Sequence, residues 1–146
     1  MSLPQEIRDR LTLPAVAAPM FLCSGVELAT EACKAGIIGS LTRNHCRDME
    51  ELESQLARVA GQLARFAEAH PERKIGPLAV NISTHFDAAD MRAHLALCRR
   101  YGASIVITSV GDPTAMVAMV HPSLMKQTFE RAPRCGVEEY DILWIN

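Results

Sequence analysis

The stretch "GPLAVNIS", residues 76–83, runs apolar through Leu78, Ala79 and Val80 without alternating, and then ends abruptly on Asn81, Ile82 and Ser83. A strand with one wet face alternates polar and apolar residues, whereas a near-continuous apolar run means burial on both faces, as in a parallel sheet sandwiched by helices. Its flanks agree. Upstream, "DMEELESQLARVAGQLARFAEAH", residues 48–70, sets Met49, Leu52, Leu56, Val59, Leu63 and Phe66 at steps of three and four. That pattern predicts a long amphipathic helix capped at Asp48, with Glu, Gln and Arg on the solvated face. Downstream, "DAADMRAHLALCRRYGA", residues 87–103, predicts a helix beginning near Asp87, and "SIVITSVG", residues 104–111, a second buried strand.

The same rhythm extends in both directions. "AVAAPM", residues 15–20, predicts a first strand, "VELATEACKAG", residues 26–36, a helix with Gly36 as its C-cap, and "IIGSLTR", residues 37–43, another buried strand. "DPTAMVAMV", residues 112–120, starts a further helix with Asp112 as N-cap and Pro113 as first helical residue. Strand-then-helix units in succession imply parallel strands joined by right-handed crossovers. The expected fold class is therefore α/β. Residues 122–146 lose the periodicity and carry Pro122 and Pro133. Their end, "YDILWIN", is either a fifth strand or an apolar terminus, and the strand reading is preferred.

At 146 residues the chain is expected to be one domain with a sizeable core. Hydrophobic residues at 49% and charged ones at 22% describe a globular protein and exclude a disordered, collagenous or coiled-coil chain. A net charge of -2 with scattered Lys and Arg gives no basic face for nucleic acid. The cysteines, Cys23, Cys33, Cys46, Cys98 and Cys135, are odd in number and never spaced as CxxC, so neither a disulfide framework nor a zinc knuckle is expected. The charged opening residues and the lack of a run of about 18 apolar residues predict a cytoplasmic protein free of membrane.

In parallel α/β folds the functional groups gather at the carboxyl ends of the strands. Here those ends read "APMFLCSG", "SLTRNHC", "NISTHF" and "TSVGDPT". They offer backbone groups, the Asn81 carboxamide, and hydroxyls at Thr42, Ser83, Thr108 and Ser109. They hold no paired carboxylates, no Ser-His-Asp order and no metal spacing. Such a rim suits a flat, neutral, hydrogen-bonding ring better than acid-base hydrolysis, and a bound cofactor would then carry the chemistry. Ala18, Pro19 and Met20 would present backbone atoms and a pliable thioether to that ring. The other candidates read as structural: His85 as a loop histidine, His45 and Cys46 as an incidental pair, Cys23 as a small packed residue, Cys33 and Cys98 as packing against the sheet. Asp112 is explained as a cap, although it and Thr114 lie where a substrate would come, and Met116, Met119 and Met125 read as core. The absence of GxGxxG after the first strand weighs against an open nucleotide-binding sheet.

Taken together, "LPAVAAPM", "ATEACKAGIIGSLT", "GPLAVNIS" and "ASIVITSVGDPT", in this order and at these separations, resemble the nitronate monooxygenase (2-nitropropane dioxygenase) family over residues 11–120. The resemblance implies a TIM barrel that binds FMN at the carboxyl ends of its strands and oxidises alkyl nitronates with molecular oxygen. It implies that Ala18, Pro19 and Met20 lie along the flavin and that Asn81 hydrogen-bonds it. Thr108, Ser109 and Gly111 would belong to the wall of the substrate pocket. A sister branch with the same early motifs reduces enoyl groups on acyl carrier protein, and these motifs do not separate the two. A closed barrel takes about 250 residues. The expectation is therefore a partial (β/α)8 barrel of about four βα units in residues 1–121, followed by a divergent tail in residues 122–146. The segments bearing the family's histidine and phosphate-binding loops are absent from this sequence, which leaves the catalytic residue unknown. The loss of pattern near His121 suggests a truncated or frame-altered chain. The class-level alternative is a non-catalytic α/β fragment that self-associates through open sheet edges.

Overall fold

The structure is a computed structural model that describes residues 3–110 and 112–120, together with the backbone of residues 141–144. Four strands, β1 (Gly39–Thr42), β2 (Leu78–Ser83), β3 (Ile105–Ser109) and β4 (Asp141–Trp144), form a parallel sheet in the order β1-β2-β3-β4. The helices are α1 (Gln5–Arg10), α2 (Val26–Lys34), α3 (Met49–Ala69), α4 (Ala88–Arg100) and α5 (Thr114–Val120). Strand order follows chain order, so each strand pairs with its neighbour in sequence.

The predicted helices form where their caps direct. The Asp48 carboxylate accepts from the Glu51 N–H at 2.8 Å, and Glu51 reaches back to the Arg47 N–H at 2.8 Å, so two N-terminal donors of α3 are satisfied from one turn. Asp87 accepts from the N–H groups of Ala89 and Asp90 at the start of α4. Asp112 accepts from the N–H of Thr114, and the Pro113 carbonyl already receives Val117 N–H at 2.9 Å. After α2 the chain turns at Gly36 with φ 78°, where a Cβ would lie 2.2 Å from the Thr12 hydroxyl oxygen.

The sheet buries both faces, as its uniform strands predict. Leu41, Leu78, Val80, Ile82 and Val106 pack outward with Ala29, Cys33, Leu52, Leu56, Val59, Leu95 and Cys98 of the helix layer. Ala79, Ile105 and Ile107 point the other way and pack with Ile38, Ile7 and Leu11. Cys33 and Cys98 thus occupy the core positions expected of them, and Met116 is fully buried. Met119 is half-buried against the same cluster, while Met125 lies outside the described residues.

Two features differ from the sequence reading, and a third decides between its alternatives. The first strand, expected over residues 15–20, is reduced to a single parallel bridge between Val16 and Ile38. Ala17 N–H donates to the Ile38 carbonyl at 2.9 Å and Ile38 N–H to the Ala15 carbonyl at 3.0 Å, and Pro14 and Pro19 bracket the pairing without N–H groups to extend it. Second, α1 forms in the charged opening segment on the strength of Ile7 and Leu11, which close one end of the inner face. Third, residues 141–144, within the stretch expected to be an irregular tail, pair parallel with β3, with Ile105 opposite Asp141. The strand reading of "YDILWIN" is the one that holds over those four residues.

Candidate functional site

The paired registers stack the inward-facing residues of the sheet in layers. Ser40, Ala79 and Ile105 are cross-strand partners in one layer, and Thr42, Asn81 and Ile107 in the next. Ser83 and Ser109 follow at the top. Because side chains alternate between faces, the inner face changes from apolar to polar between Ala79 and Asn81 on β2 and between Ile107 and Ser109 on β3. That change of polarity marks the floor of a cleft.

The cleft holds about 500 Å³ and is lined by Ala18, Pro19, Phe21, Thr42, Asn44, Asn81, Ile107, Thr108, Ser109 and Val110. Six of the residues singled out from sequence, Ala18, Pro19, Thr42, Asn81, Thr108 and Ser109, come from four separate segments and meet here. Met20 does not line the cleft; its side chain is exposed beside the wall that Pro19 makes. Gly111 lies outside the described residues.

Hydrogen bonds set what each wall offers. Both Asn81 amide protons are committed to β3, one to the Ile107 carbonyl at 3.0 Å and one to Ser109 Oγ at 3.0 Å. Asn81 Oδ1 is left with only a long contact of 3.4 Å from the Ser109 hydroxyl, so the carboxamide presents an acceptor with spare capacity. The neighbouring Thr42 hydroxyl is buried and has no partner among the described residues. An orphaned buried hydroxyl beside an under-used amide oxygen suits a ring that alternates donors and acceptors.

The wall formed by Ala18 and Pro19 is held by Ser24, which is buried at the start of α2. Its hydroxyl accepts from Met20 N–H at 2.8 Å and donates to the Ala18 carbonyl at 3.2 Å, folding residues 20–24 into a tight turn. Met20, Phe21 and Leu22 are left exposed on that turn, and Phe21 reaches the cleft mouth. Across the mouth, Val110 sits at φ 60° with its carbonyl held by the Thr84 hydroxyl. Left-handed backbone at a β-branched residue is a strained conformation of the kind found at ligand sites.

The β1 rim is anchored from behind. Arg43 is buried, and its guanidinium donates from Nε to His94 Nε2 at 2.6 Å and from Nη1 to the Cys46 carbonyl at 2.7 Å, with its Cζ 5.3 Å from the Phe86 ring centre. His94 Nδ1 lies 2.6 Å from the Asp90 carbonyl and therefore carries the proton, which makes Nε2 the acceptor for Arg43. Burial above all, with Arg43 adding to it, holds the His94 pKa below its ordinary value.

Other nucleophiles are poorly placed. Burial pushes the thiols of Cys33 and Cys46 up to about 11 and that of Cys98 to about 12, so none is a thiolate at neutral pH. Cys23 is exposed rather than packed, which corrects the sequence reading, because the turn at residues 20–24 buries Ser24 in its place. His85 is exposed and does not line the cleft, and His45 and Cys46 assemble no metal cluster with other groups among the described residues. Asp112 caps α5 and is also held below its ordinary pKa by the hydroxyl and N–H of Thr114.

Phe21, Asn44, Val110, Ser24, Arg43 and His94 were not singled out from sequence. Asn44 and Val110 stand within strand-end segments already quoted, so position along the chain was a usable signal. For Arg43 and His94, which are separated by 51 positions, no local pattern announces the contact.

Neither a family model nor a curated protein matches the chain. Among solved structures it is similar to the structure of FabK from Thermotoga maritima, with a TM-score of 0.57 and 17% identity. The likeness covers 83% of this chain and 35% of that one, so the chain spans about a third of the protein it matches. At that identity the similarity concerns the fold, and it extends the βα arrangement over most of the present chain.

Proposed function

We propose that the cleft takes the isoalloxazine ring of FMN, and that this chain supplies one side of an oxidoreductase site of the nitronate monooxygenase type. The observation that carries the reading is the meeting of Ala18, Pro19, Asn81, Thr108 and Ser109 in one cleft, above a layer where Thr42 and Asn81 have unused hydrogen-bonding capacity. The fold likeness to FabK supports a flavoenzyme-type barrel.

When bound, FMN would accept electrons from an alkyl nitronate and pass them to molecular oxygen. The residues of this chain bind and orient. Asn81 Oδ1 and the Thr42 hydroxyl would hydrogen-bond the ring, and Ala18 and Pro19 would pack against it. Ile107, Phe21 and Val110 exclude water from the mouth. Thr108 and Ser109 belong to the wall on the substrate side. A phosphate needs positioned backbone amides or cations, and the lining residues include no Lys or Arg. Affinity is therefore expected to rest on the ring, with riboflavin binding nearly as well as FMN.

The reading includes a soluble, cytoplasmic protein acting on a small molecule, in line with its net charge of -2 and the free cysteines among the described residues. It also includes self-association through the open edges of the sheet. Titration of purified protein with FMN, followed by quenching of flavin fluorescence and by a shift in the visible bands, tests the cofactor. Saturable quenching that Asn81→Leu weakens at least tenfold is expected. A preparation that leaves the flavin spectrum unchanged at every concentration overturns the assignment in favour of a non-catalytic α/β fragment. With flavin bound, oxygen uptake on a primary alkyl nitronate supports the nitronate branch. Oxidation of reduced nicotinamide driven by an enoyl thioester replaces it with the enoyl reductase alternative.

A further inference from the structure

The Arg43 guanidinium is buried without a carboxylate partner among the described residues. Its described partners, the His94 imidazole, the Cys46 carbonyl and the Phe86 face, are all neutral. The arrangement is closed as well as buried. His94 is 1% exposed, its ring lies 4.6 Å from that of Phe86, and its two nitrogens face the Arg43 Nε and the Asp90 carbonyl. Only one protonation state satisfies both contacts, the neutral imidazole with its proton on Nδ1. A second proton has to enter at Nε2, where the Arg43 donor already points.

The charged groups that act on the imidazole are Arg43, from the turn after β1, and Asp90, on its own helix one turn away. The Cys46 thiol, near Arg43, has its pKa pushed up to about 11 by burial and so adds no compensating charge at neutral pH. The Asp90 side chain is exposed, so its carboxylate is screened by water and offsets little of the repulsion between two buried cations.

Arg43 sits between two residues that line the cleft, Thr42 at the end of β1 and Asn44 in the turn that follows. We infer that Arg43 and His94 form a proton-sensitive clamp: neutral His94 holds the Arg43 side chain and so fixes Thr42 and Asn44 at the cleft wall, while protonated His94 releases it. Arg43 and His94 are positioning residues in this scheme, since neither lines the cleft. The clamp itself follows from the contacts just described. Its effect on ligand binding rests on the flavin reading proposed above.

The test is a pH titration from 8 to 5 of the full ligand-free chain, labelled with ¹⁵N and followed by NMR at the His94 ring nitrogens and the Thr42 and Asn44 amides. At pH 8 the ring is expected to show a protonated Nδ1 and an acceptor Nε2. As pH falls, the Thr42 and Asn44 amides should move with the midpoint of His94, while the Leu56 amide in α3 stays put. His94→Gln, whose amide oxygen can still accept from Arg43 but does not titrate, should abolish the pH-dependent movement. Wild-type amides at residues 42 and 44 that ignore the His94 midpoint overturn the clamp, and this measurement decides even if the variant fails to fold. Movement that persists in a folded His94→Gln protein also overturns it. A parallel FMN titration at pH 8 and 5 reads the consequence, with binding in the wild type weakened in step with the protonated fraction of His94 seen by NMR and unchanged in His94→Gln. FMN that binds at neither pH overturns the flavin reading, and the amide titration still decides the clamp.

Discussion

Val110 adopts φ 60° at the cleft mouth while its side chain remains 59% exposed, so little burial compensates the conformation. A β-branched residue in the left-handed region costs of order 1–3 kcal/mol. Val110→Gly removes the clash but enlarges the freedom of the unfolded chain, an opposing effect of about 0.5–1 kcal/mol. The variant is expected to be more stable by about 1 kcal/mol, read as a higher urea midpoint at unchanged slope. A midpoint equal to or below the wild type would show that the φ carries no strain. Asn81 and Pro19 were legible because a carboxamide or proline that ends an apolar run stands at a strand tip whatever the rest of the fold does. Arg43 and His94 were not, because their meaning lies in a contact between distant segments, and each alone reads as a loop cation and a helix-face imidazole. Burial chiefly depresses the folded pKa of His94, whereas its unfolded value is about 6.5. Between those two values the unfolded chain binds the extra proton, so stability falls as pH drops below about 6.5 and is fully present above it. Chemical denaturation at pH 7.5 and 5.5 should show a loss of up to about 1.4 kcal/mol per pH unit from this group. His94→Gln should remove that component, and an identical slope in the variant would assign it to other groups.

Element by element, amphipathic periodicity succeeded where an element is long and capped from its own sequence. The α3 helix needs only its apolar stripe and the reciprocal contacts of Asp48 and Glu51. The first strand and α1 depend instead on partners. Among the described residues, 15–17 pair only with Ile38, and α1 is held by Ile7 under the inner face of the sheet, so neither shows a periodic signature of its own. The approach of α2 to β1 is a further such dependence. A Cβ at Gly39 would lie 2.2 Å from the Ala29 carbonyl oxygen and 2.6 Å from Cys33 Sγ. Backbone cannot yield there as a flexible side chain would, and overpacking of this sort typically costs about 1–3 kcal/mol. Gly39→Ala should therefore lower the thermal midpoint by several degrees, as expected for a loss of about that size in a chain of this length. It should also weaken FMN binding, since β1 carries Thr42 at its far end. Wild-type stability in this variant would mean that α2 lies farther from the sheet than described.

For the whole molecule the decisive fact is that the sheet has both faces covered yet does not close among the described residues. On one side β4 pairs only with β3, and on the other β1 meets only the Val16 bridge. At that bridge the Ala15 carbonyl and Ala17 N–H point to Ile38, which turns the N–H and carbonyl of Val16 outward. A parallel barrel removes such edges by closing on itself, and a sheet that stops short leaves backbone groups able to pair with another strand. Apolar side chains at the cleft mouth, Phe21 at 60% and Val110 at 59% exposure, add surface that gains from being covered. Self-association is the expected outcome. Sedimentation velocity of the purified chain between about 5 and 100 μM should show species that grow with concentration beyond the 16.0 kDa monomer. If the edges meet so that two cleft rims face each other, FMN should co-sediment with the larger species and shift the distribution toward it. Flavin that travels with the monomer would separate cofactor binding from assembly. A 16.0 kDa species at every concentration, with or without FMN, would mean that the edges are covered within the chain itself.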